Sequence, residues 1–368
     1  MEKRKRWIIQ AAVFMCLIMM LRYVNTRGMI SEMIDWYYGK VITGFCPILS
    51  KKEETFSGTI LSDMVNIYYQ ETVPFLQYRT DYKDKNEEDL VQEDYYHFQD
   101  DETTDEVAQE VKKEAKKFHA KKWESPTYLR KYIYQIDSTT TATDGELNGR
   151  VLMNMDLRLK KSDQPQILIY HTHGSETYRG SRKGRKSDTV IGVGDVLVKN
   201  LRQRKIKVIH DRNIYDVKNG KEERSKAYNY AANAIEENLR KYPSIRVVID
   251  LHRDGVNEKT KLVTMQKGRQ MAQIMFFNGM SRTAANGDIK YLKNPNKQMN
   301  LAFSLQLQAQ AMKKYPGFTR KIYMKGYRYN LHYRGRSLLV EVGAQNNTLS
   351  QAKASMSLLA ELLNDVLY

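Results

Sequence analysis

Residues 167–178 read ILIYHTHGSETY, an apolar run of strand length that stops in two histidines, a glycine and a glutamate. Four consecutive apolar residues are typical of a strand buried on both faces, as in a parallel sheet covered by helices. Open α/β sheets bind their ligands just beyond the carboxyl ends of such strands. Imidazole and carboxylate groups are preferred ligands of a catalytic zinc ion. The stretch therefore predicts a buried strand with a candidate metal or catalytic site at its end.

Further strands and helices alternate after this stretch. Strand-like runs lie at 206–210, 245–251 and 337–342, and helical patterns at 189–204, 222–242, 296–315 and 348–367. Two shorter alternating runs, at 261–265 and 273–277, predict a hairpin or consecutive strands at the margin of the sheet. The order is typical of the α/β class, so we expect a mostly parallel sheet flanked by helices on both faces.

Polar side chains follow three of the predicted strands. They are His171, His173 and Glu176 after the first, His252 and Asp254 after the third, and Glu341 at the end of the last. Because the carboxyl ends of parallel strands lie at one edge of a sheet, these residues can converge although they are far apart in the sequence. Such a set can coordinate zinc and activate water. Each member alone is equally explained by an ordinary hydrogen bond at a strand end.

The first third of the chain has a different character. Residues 3–6 are basic and the apolar run Trp7 to Leu21 follows, which predicts an uncleaved, single-pass signal anchor within 1–28 and an extracytoplasmic body. No small-residue cleavage site follows the run, which disfavours a cleaved signal peptide. Residues 29–122 predict a juxtamembrane segment and a charged linker, with 13 acidic and two basic residues between Asp81 and Glu110. From Trp123 the composition is globular, so 123–368 is the predicted catalytic domain.

Charge and cysteine content narrow the classes of partner and site. The net charge of +17 attracts polyanions such as nucleic acid, anionic lipid headgroups or the teichoic polymers of a cell wall. No nucleic-acid-binding motif accompanies this charge, so nucleic acid is not an expected partner. Only two cysteines occur, Cys16 and Cys46, which excludes a disulfide framework and a Cys-rich zinc site. Any metal ion must therefore be held by His, Asp and Glu.

Three segments resemble the signature of a known family. They read IYHTHGSETY at 169–178, VIDLHRDG at 248–255 and LVEVG at 339–343. In order and spacing they resemble the stage II sporulation protein P family. The resemblance implies an amidase_3-like fold and a zinc-dependent N-acetylmuramoyl-L-alanine amidase, associated also with endopeptidase cleavage of cross-links. Such an enzyme degrades septal peptidoglycan during engulfment in endospore formation.

The same resemblance implies a cellular setting. Members of the family are anchored in the mother-cell membrane and face the septal peptidoglycan, where they act beside the stage II sporulation proteins D and M. The expected localisation is therefore the cell membrane, with the catalytic domain outside the cytoplasm. The expected partners are peptidoglycan, the membrane and those two proteins.

The resemblance also assigns roles to individual residues. His173 and His252 match the metal-binding histidines of such amidases, and Glu341 matches the catalytic glutamate. For the remaining zinc ligand, Glu176 is the favoured carboxylate and Asp195 is held in reserve.

Other roles remain open at this point. His171 is either an alternative ligand or a catalytic partner of bound substrate, and Asp250 or Asp254 orients a ligand histidine. A metallo-peptidase or deacetylase on a similar sheet would use the same zinc ligands. An inactive wall-binding scaffold would instead recruit other hydrolases through its basic surface, although such a scaffold has no need of an intact catalytic set.

Overall fold

The computed structural model describes residues 120–368. The predicted anchor at 1–28 and all but the last residues of the predicted linker at 29–122 lie outside the described residues. Within 120–368, no helix is long and apolar enough to cross a bilayer. The described part begins with short helical turns, Ala120–Glu124, Pro126–Tyr128 and Leu129–Ile133.

A seven-stranded sheet forms the centre of the described residues. Its strands are β1 Tyr134–Ile136, β2 Ile167–Tyr170, β3 Val208–His210, β4 Val247–Asp254, β5 Ile274–Gly279, β6 Ile322–Lys325 and β7 Ser337–Ala344. Their order across the sheet is β1-β6-β5-β7-β4-β2-β3. Neighbouring strands are parallel except β5 and β7, which are antiparallel. The predicted mostly parallel sheet is confirmed, with one antiparallel junction.

Helices cover both faces of this sheet, as predicted. They are α1 Gly149–Asn154, α2 Val190–Gln203, α3 Ala227–Lys241, α4 Lys297–Lys314 and α5 Leu349–Leu367. The alternate residues Ile167 and Ile169 of β2 pack into the large core with α2, α4 and α5. Leu168 and Tyr170 of the same strand face α3 on the other side. A strand whose successive side chains are all buried reads as a continuous apolar run, which is why β2 was recognisable from the sequence.

Helix starts and stops follow local chemistry. Thr189 caps α2 by accepting a hydrogen bond from the backbone N–H of Ile191. Thr348 caps α5 in a reciprocal capping box with Gln351. Helix α3 ends just before Pro243, since proline cannot supply the next backbone donor.

Residues 273–277 were predicted to lie at the margin of the sheet, and this prediction was wrong. They lie in β5, which pairs with β7 in the middle of the sheet, and Ile274–Gly279 is buried throughout. The hairpin is formed instead by Val263–Gln266 and Arg269–Ala272. Its turn residues Lys267 and Gly268 both have positive φ, the geometry of a two-residue hairpin turn. Strands β1 and β6 were not predicted from the sequence.

Candidate active site

Four of the predicted site residues lie together at one edge of the sheet. Glu341 of β7 is the direct register partner of His252 on the adjacent, parallel β4. The ring of His173, in the segment after β2, lies 5.3 Å from the ring of His252 between centroids. Glu176 Oε2 lies 3.8 Å from His252 Nδ1. All four side chains are buried, none more than 7% exposed. The sheet therefore gathers two imidazoles and two carboxyl groups in one enclosed place.

Asp250 orients His252. Its Oδ1 lies 2.8 Å from His252 Nε2, and it is itself fixed by hydrogen bonds from the backbone N–H and the hydroxyl of Thr172, at 2.9 and 2.6 Å. Burial lowers the pKa of His252. The opposing effect of the neighbouring carboxylates is larger and raises this pKa to about 10; they are Asp250, Glu176 and Glu341. The imidazole thus lies among carboxylates, with Nε2 facing Asp250 and Nδ1 on the side of Glu176.

Glu176 is held as a carboxylate by neighbouring donors. Its Oε1 accepts a hydrogen bond from Arg224 Nη2 at 3.1 Å, and its Oε2 accepts one from the backbone N–H of Arg253 at 3.1 Å. Burial raises the pKa of Glu176. Neighbouring basic side chains have the larger, opposite effect and keep this pKa below its usual value; they are His252, His173, Arg253 and Arg224. Glu176 is therefore a negatively charged carboxylate, the form in which a glutamate binds a metal ion.

Glu341 is held differently from Glu176. Its Oε2 is buried and has no hydrogen-bond partner among residues 120–368. Burial raises the pKa of Glu341 well above its usual value, against the opposing effect of His252, and Asp254 and Glu176 raise it further. A carboxyl group with a raised pKa and an uncommitted oxygen suits a group that must take up and release a proton near neutral pH.

Asp254 takes no part in orienting the histidines. Its Oδ2 forms an ion pair with Arg320 instead. Of the two carboxylates considered for that role, Asp250 is therefore the one in contact with His252.

Asp216 is a site residue that the sequence reasoning missed. It is fully buried and accepts hydrogen bonds from the backbone N–H and hydroxyl of Ser175, at 3.2 and 2.5 Å. Its Oδ2 lies 3.8 Å from His173 Nδ1. Asp216 thus lies near His173, at a longer distance than the 2.8 Å between Asp250 and His252. The available signal was an acidic residue soon after the strand at 208–210, whose end reaches the same edge.

His171 is not part of this group. Its Nδ1 donates to the carbonyl of Leu251 at 2.8 Å, and its Nε2 lies 2.9 Å from Nε2 of His210. Burial, and then the neighbouring His210, lower the pKa of His171 to about 3. The ring packs against α2 at Gly194, where an added Cβ would lie 2.8 Å from it. His171 is thus a neutral, enclosed imidazole on the face of the sheet that α2 covers.

Asp195 lies beside His210, the partner of His171, and we call these three residues the second cluster. Its Oδ1 lies 3.2 Å from His210 Nδ1, and its Oδ2 pairs with Arg212 at 3.0 Å. Of the two carboxylates considered for the ligand position, Glu176 therefore adjoins His252, whereas Asp195 does not.

The donor set fits a zinc ion in the type of its ligands, and one pair of ligand atoms has a suitable separation. Two imidazoles and a carboxylate are a usual catalytic ligand set. The 3.8 Å between His252 Nδ1 and Glu176 Oε2 is too long for a hydrogen bond. It is close to the roughly 3.4 Å that separates two tetrahedral ligands of one zinc ion. Within 120–368, no three His, Cys, Asp or Glu side chains are already drawn into a metal-binding set, so the side chains would have to close slightly around an ion.

Comparison with known families identifies the chain. The family model for Stage II sporulation protein P (SpoIIP) matches residues 51–364. The chain belongs to this family. The predicted family is thus confirmed, and the four clustered side chains all lie in the three segments on which that prediction was based.

Individual relatives are more distant. The stage II sporulation protein P of Bacillus subtilis (strain 168) is 24% identical over 219 residues, which are 55% of this chain and 51% of the relative. The chain therefore spans about half the length of this curated relative. Among solved structures, the CwlD amidase from Clostridioides difficile in complex with the GerS lipoprotein is 12% identical, with a TM-score of 0.34 over 55% of this chain and 98% of that one. A conserved protein of unknown function is also 12% identical, with a TM-score of 0.30 over 56% and 64% of the two chains.

Proposed function

We propose that this SpoIIP family member is a zinc-dependent N-acetylmuramoyl-L-alanine amidase that hydrolyses septal peptidoglycan during engulfment in endospore formation. The observation that carries the proposal is the convergence of His173, Glu176, His252 and Glu341 in one buried cluster. Family membership supplies the substrate class.

His173, Glu176 and His252 would hold the zinc ion. When bound, the ion supplies Lewis acidity, which lowers the pKa of water and polarises an amide carbonyl. Asp250 keeps the His252 ring in a fixed orientation through its Nε2 contact at 2.8 Å, whereas Asp216 lies near His173 at the longer distance of 3.8 Å. Carboxylates that hold ligand histidines in this way commonly contribute 10- to 100-fold to metal affinity or activity.

Glu341 carries the proton in the proposed reaction. Its free Oε2 accepts a proton from the attacking water as the oxygen bonds to the lactyl carbonyl carbon. The same carboxyl group then returns the proton to the nitrogen of the stem peptide as the amide C–N bond breaks. The products are a free lactyl carboxyl on the glycan and a free amine on the peptide.

His171 would act through the backbone and not on the substrate. It holds the carbonyl of Leu251, the residue before His252, and so helps fix the course of β4. A single-pass anchor at 1–28, a place on the mother-cell side of the septum, and partnership with the stage II sporulation proteins D and M complete the proposal.

The test uses the full chain, purified in detergent and incubated with peptidoglycan, with products identified by mass spectrometry. Free stem peptides and unbroken glycan strands support the amidase. Cleavage of peptide cross-links alone would replace it with an endopeptidase, and loss of acetyl groups with a deacetylase. If zinc binds and no product is released, even from glycan already cut by partner enzymes, the chain is a scaffold.

A further inference from the structure

A strongly basic loop leaves the edge of the candidate active site. Residues 179–186 read RGSRKGRK, with five basic residues and no acidic one. This segment, called the basic loop below, connects the β2 signature to the turn before α2.

The loop has a defined course. Arg182 forms a two-pronged ion pair with Asp188, at 2.6 and 2.9 Å. The hydroxyl of Ser181 donates to the carbonyl of Asp188 at 2.6 Å. The backbone N–H of Arg179 donates to the carbonyl of Asn347 at 2.9 Å. One cation of the loop is therefore used to hold it in place, and the others are presented from a fixed backbone.

The remaining cations are exposed and not neutralised. Arg179, Lys183 and Arg185 are exposed and form no ion pair within 120–368. Lys186 Nζ donates to the carbonyl of Arg212 at 2.9 Å, and Lys353 Nζ from α5 donates to the carbonyl of Ser187 at 3.0 Å. Neither of these two lysines forms an ion pair within 120–368. The five residues form what we call the basic surface.

The basic surface begins at the rim of the site. Arg179 follows Glu176 by three residues. Between them, the carbonyl of Thr177 accepts a hydrogen bond from Arg253 Nε at 2.8 Å. The hydroxyl of Tyr178 donates to the carbonyl of Val342, the residue after Glu341, at 3.1 Å. A ligand on the basic surface would therefore lie beside whatever occupies the catalytic edge.

We propose that the basic surface binds a linear, phosphate-bearing polymer of the cell wall, and so holds the catalytic edge against the glycan that carries this polymer. Spaced cations bind spaced phosphates with release of counterions. A lipid surface fits less well, because residues 179–187 contain no apolar side chain, whereas helices and loops that rest on bilayers pair basic residues with apolar ones that insert. The wall as the source of the polymer rests on the proposed function; binding of phosphate polymer does not.

The test compares two triple variants of the full chain in detergent. The loop variant is R179Q/K183Q/R185Q. The matched control, R150Q/R240Q/K290Q, removes two arginines and one lysine that are also exposed and form no ion pair within 120–368. The probe is long-chain inorganic polyphosphate, with binding followed by fluorescence anisotropy at several salt concentrations. Unchanged melting curves verify that both variants fold.

We expect the loop variant to bind polyphosphate roughly tenfold or more weakly at 50 mM salt, with a shallower dependence on salt, because fewer counterions are released. The control should bind within about twofold of the wild type. Binding to intact walls should show the same order, and the difference between the loop variant and the other two proteins should disappear after acid extraction of the phosphodiester polymers.

Three outcomes would overturn the proposal. Equal losses of polyphosphate binding in the two variants would indicate that binding depends only on the overall charge of the protein. Loop-dependent binding to vesicles of phosphatidylglycerol without binding to polyphosphate would indicate a membrane surface. A loss of binding in the loop variant that persists on acid-extracted walls would indicate that the loop recognises the glycan or peptide. Hydrolysis of soluble, polymer-free peptidoglycan fragments is measured in parallel: its failure in the wild type defeats the proposed function and leaves polyphosphate binding to be judged separately.

Discussion

His171 and His173 are two residues apart in one signature segment, and their surroundings differ completely. His173 lies among carboxylates: Asp216 is 3.8 Å away and the cluster of His252, Glu176 and Glu341 adjoins it. His171 lies against α2, bonded to a backbone carbonyl and to a second histidine. The cluster at His173 can accommodate a cation, whereas the enclosed neutral pair at His171 cannot do so without breaking its hydrogen bonds. Neighbouring charge, and not the His-x-His spacing, separates the two roles.

The largest expected effect is the loss of His252. Replacing His252 with Ala removes one proposed ligand and leaves Asp250 and Glu176 buried without the imidazole that lies between them. Zinc content measured by mass spectrometry should fall to background, and release of stem peptides should become undetectable. His171→Asn in the same assay should keep both zinc and most of the activity. Retention of zinc by the His252 variant would break the distinction between the two clusters.

Glu341→Gln tests the proton carrier. Its shape is nearly unchanged, so zinc and peptidoglycan binding should persist, while kcat falls by about 10²- to 10⁴-fold, the usual contribution of a general acid–base group. Glu258→Gln is the control, since Glu258 is exposed. Full activity in the Glu341 variant would remove its assigned role.

The carboxylates beside the two histidines should matter less, and Asp250 should matter more than Asp216. Asp250→Asn and Asp216→Asn each keep their volume and lose the charge beside one histidine. Because Asp250 contacts its histidine at 2.8 Å and Asp216 lies 3.8 Å from His173, we expect Asp250→Asn to lower zinc affinity or kcat by roughly 10- to 100-fold and Asp216→Asn to lower it less. Competition against a chelator is the measurement. Equal losses in the two variants would show that the difference in distance does not separate their roles.

Gly194→Ala tests the enclosure of His171. The new Cβ would lie 2.8 Å from the rings of His171 and His210, which should cost about 1–3 kcal/mol against a helix gain of about 1 kcal/mol. The unfolding midpoint in urea should therefore fall, with activity per folded molecule unchanged. In a His171→Ala background only the close contact with His210 remains, so the same substitution should cost less.

The smallest expected effect is on pH dependence at the second cluster. Burial, and then Arg212 and Arg202, lower the pKa of His210 to about 4, below the value of about 6.5 of an unfolded histidine. Between these values the unfolded state binds a proton that the folded state does not, so stability is lost as pH falls from about 6.5 towards 4. The thermal midpoint of His210→Gln should decline less steeply over that range. An identical slope would show that other groups dominate.

Much of the site was predictable because it lies in continuous patterns. The buried runs before His173, His252 and Glu341 marked three strands, and parallel strands bring their carboxyl ends to one edge. Asp216 could not be found in this way, because it lies in a loop whose path depends on Ser175 and Arg224. The place of β5 was also hidden, since an apolar run does not reveal its partners.

The α/β class, the family and the basic loop could be read from the chain alone, because periodicity, motif and composition are local properties. The different roles of His171 and His173 could not be predicted from the sequence alone. It depends on Gly194 and His210 on one side and on Asp216 and His252 on the other. These partners come from α2, β3, the loop after β3 and β4, and they meet only once the strand order is set. The charge and burial that determine what an imidazole does are properties of that assembly.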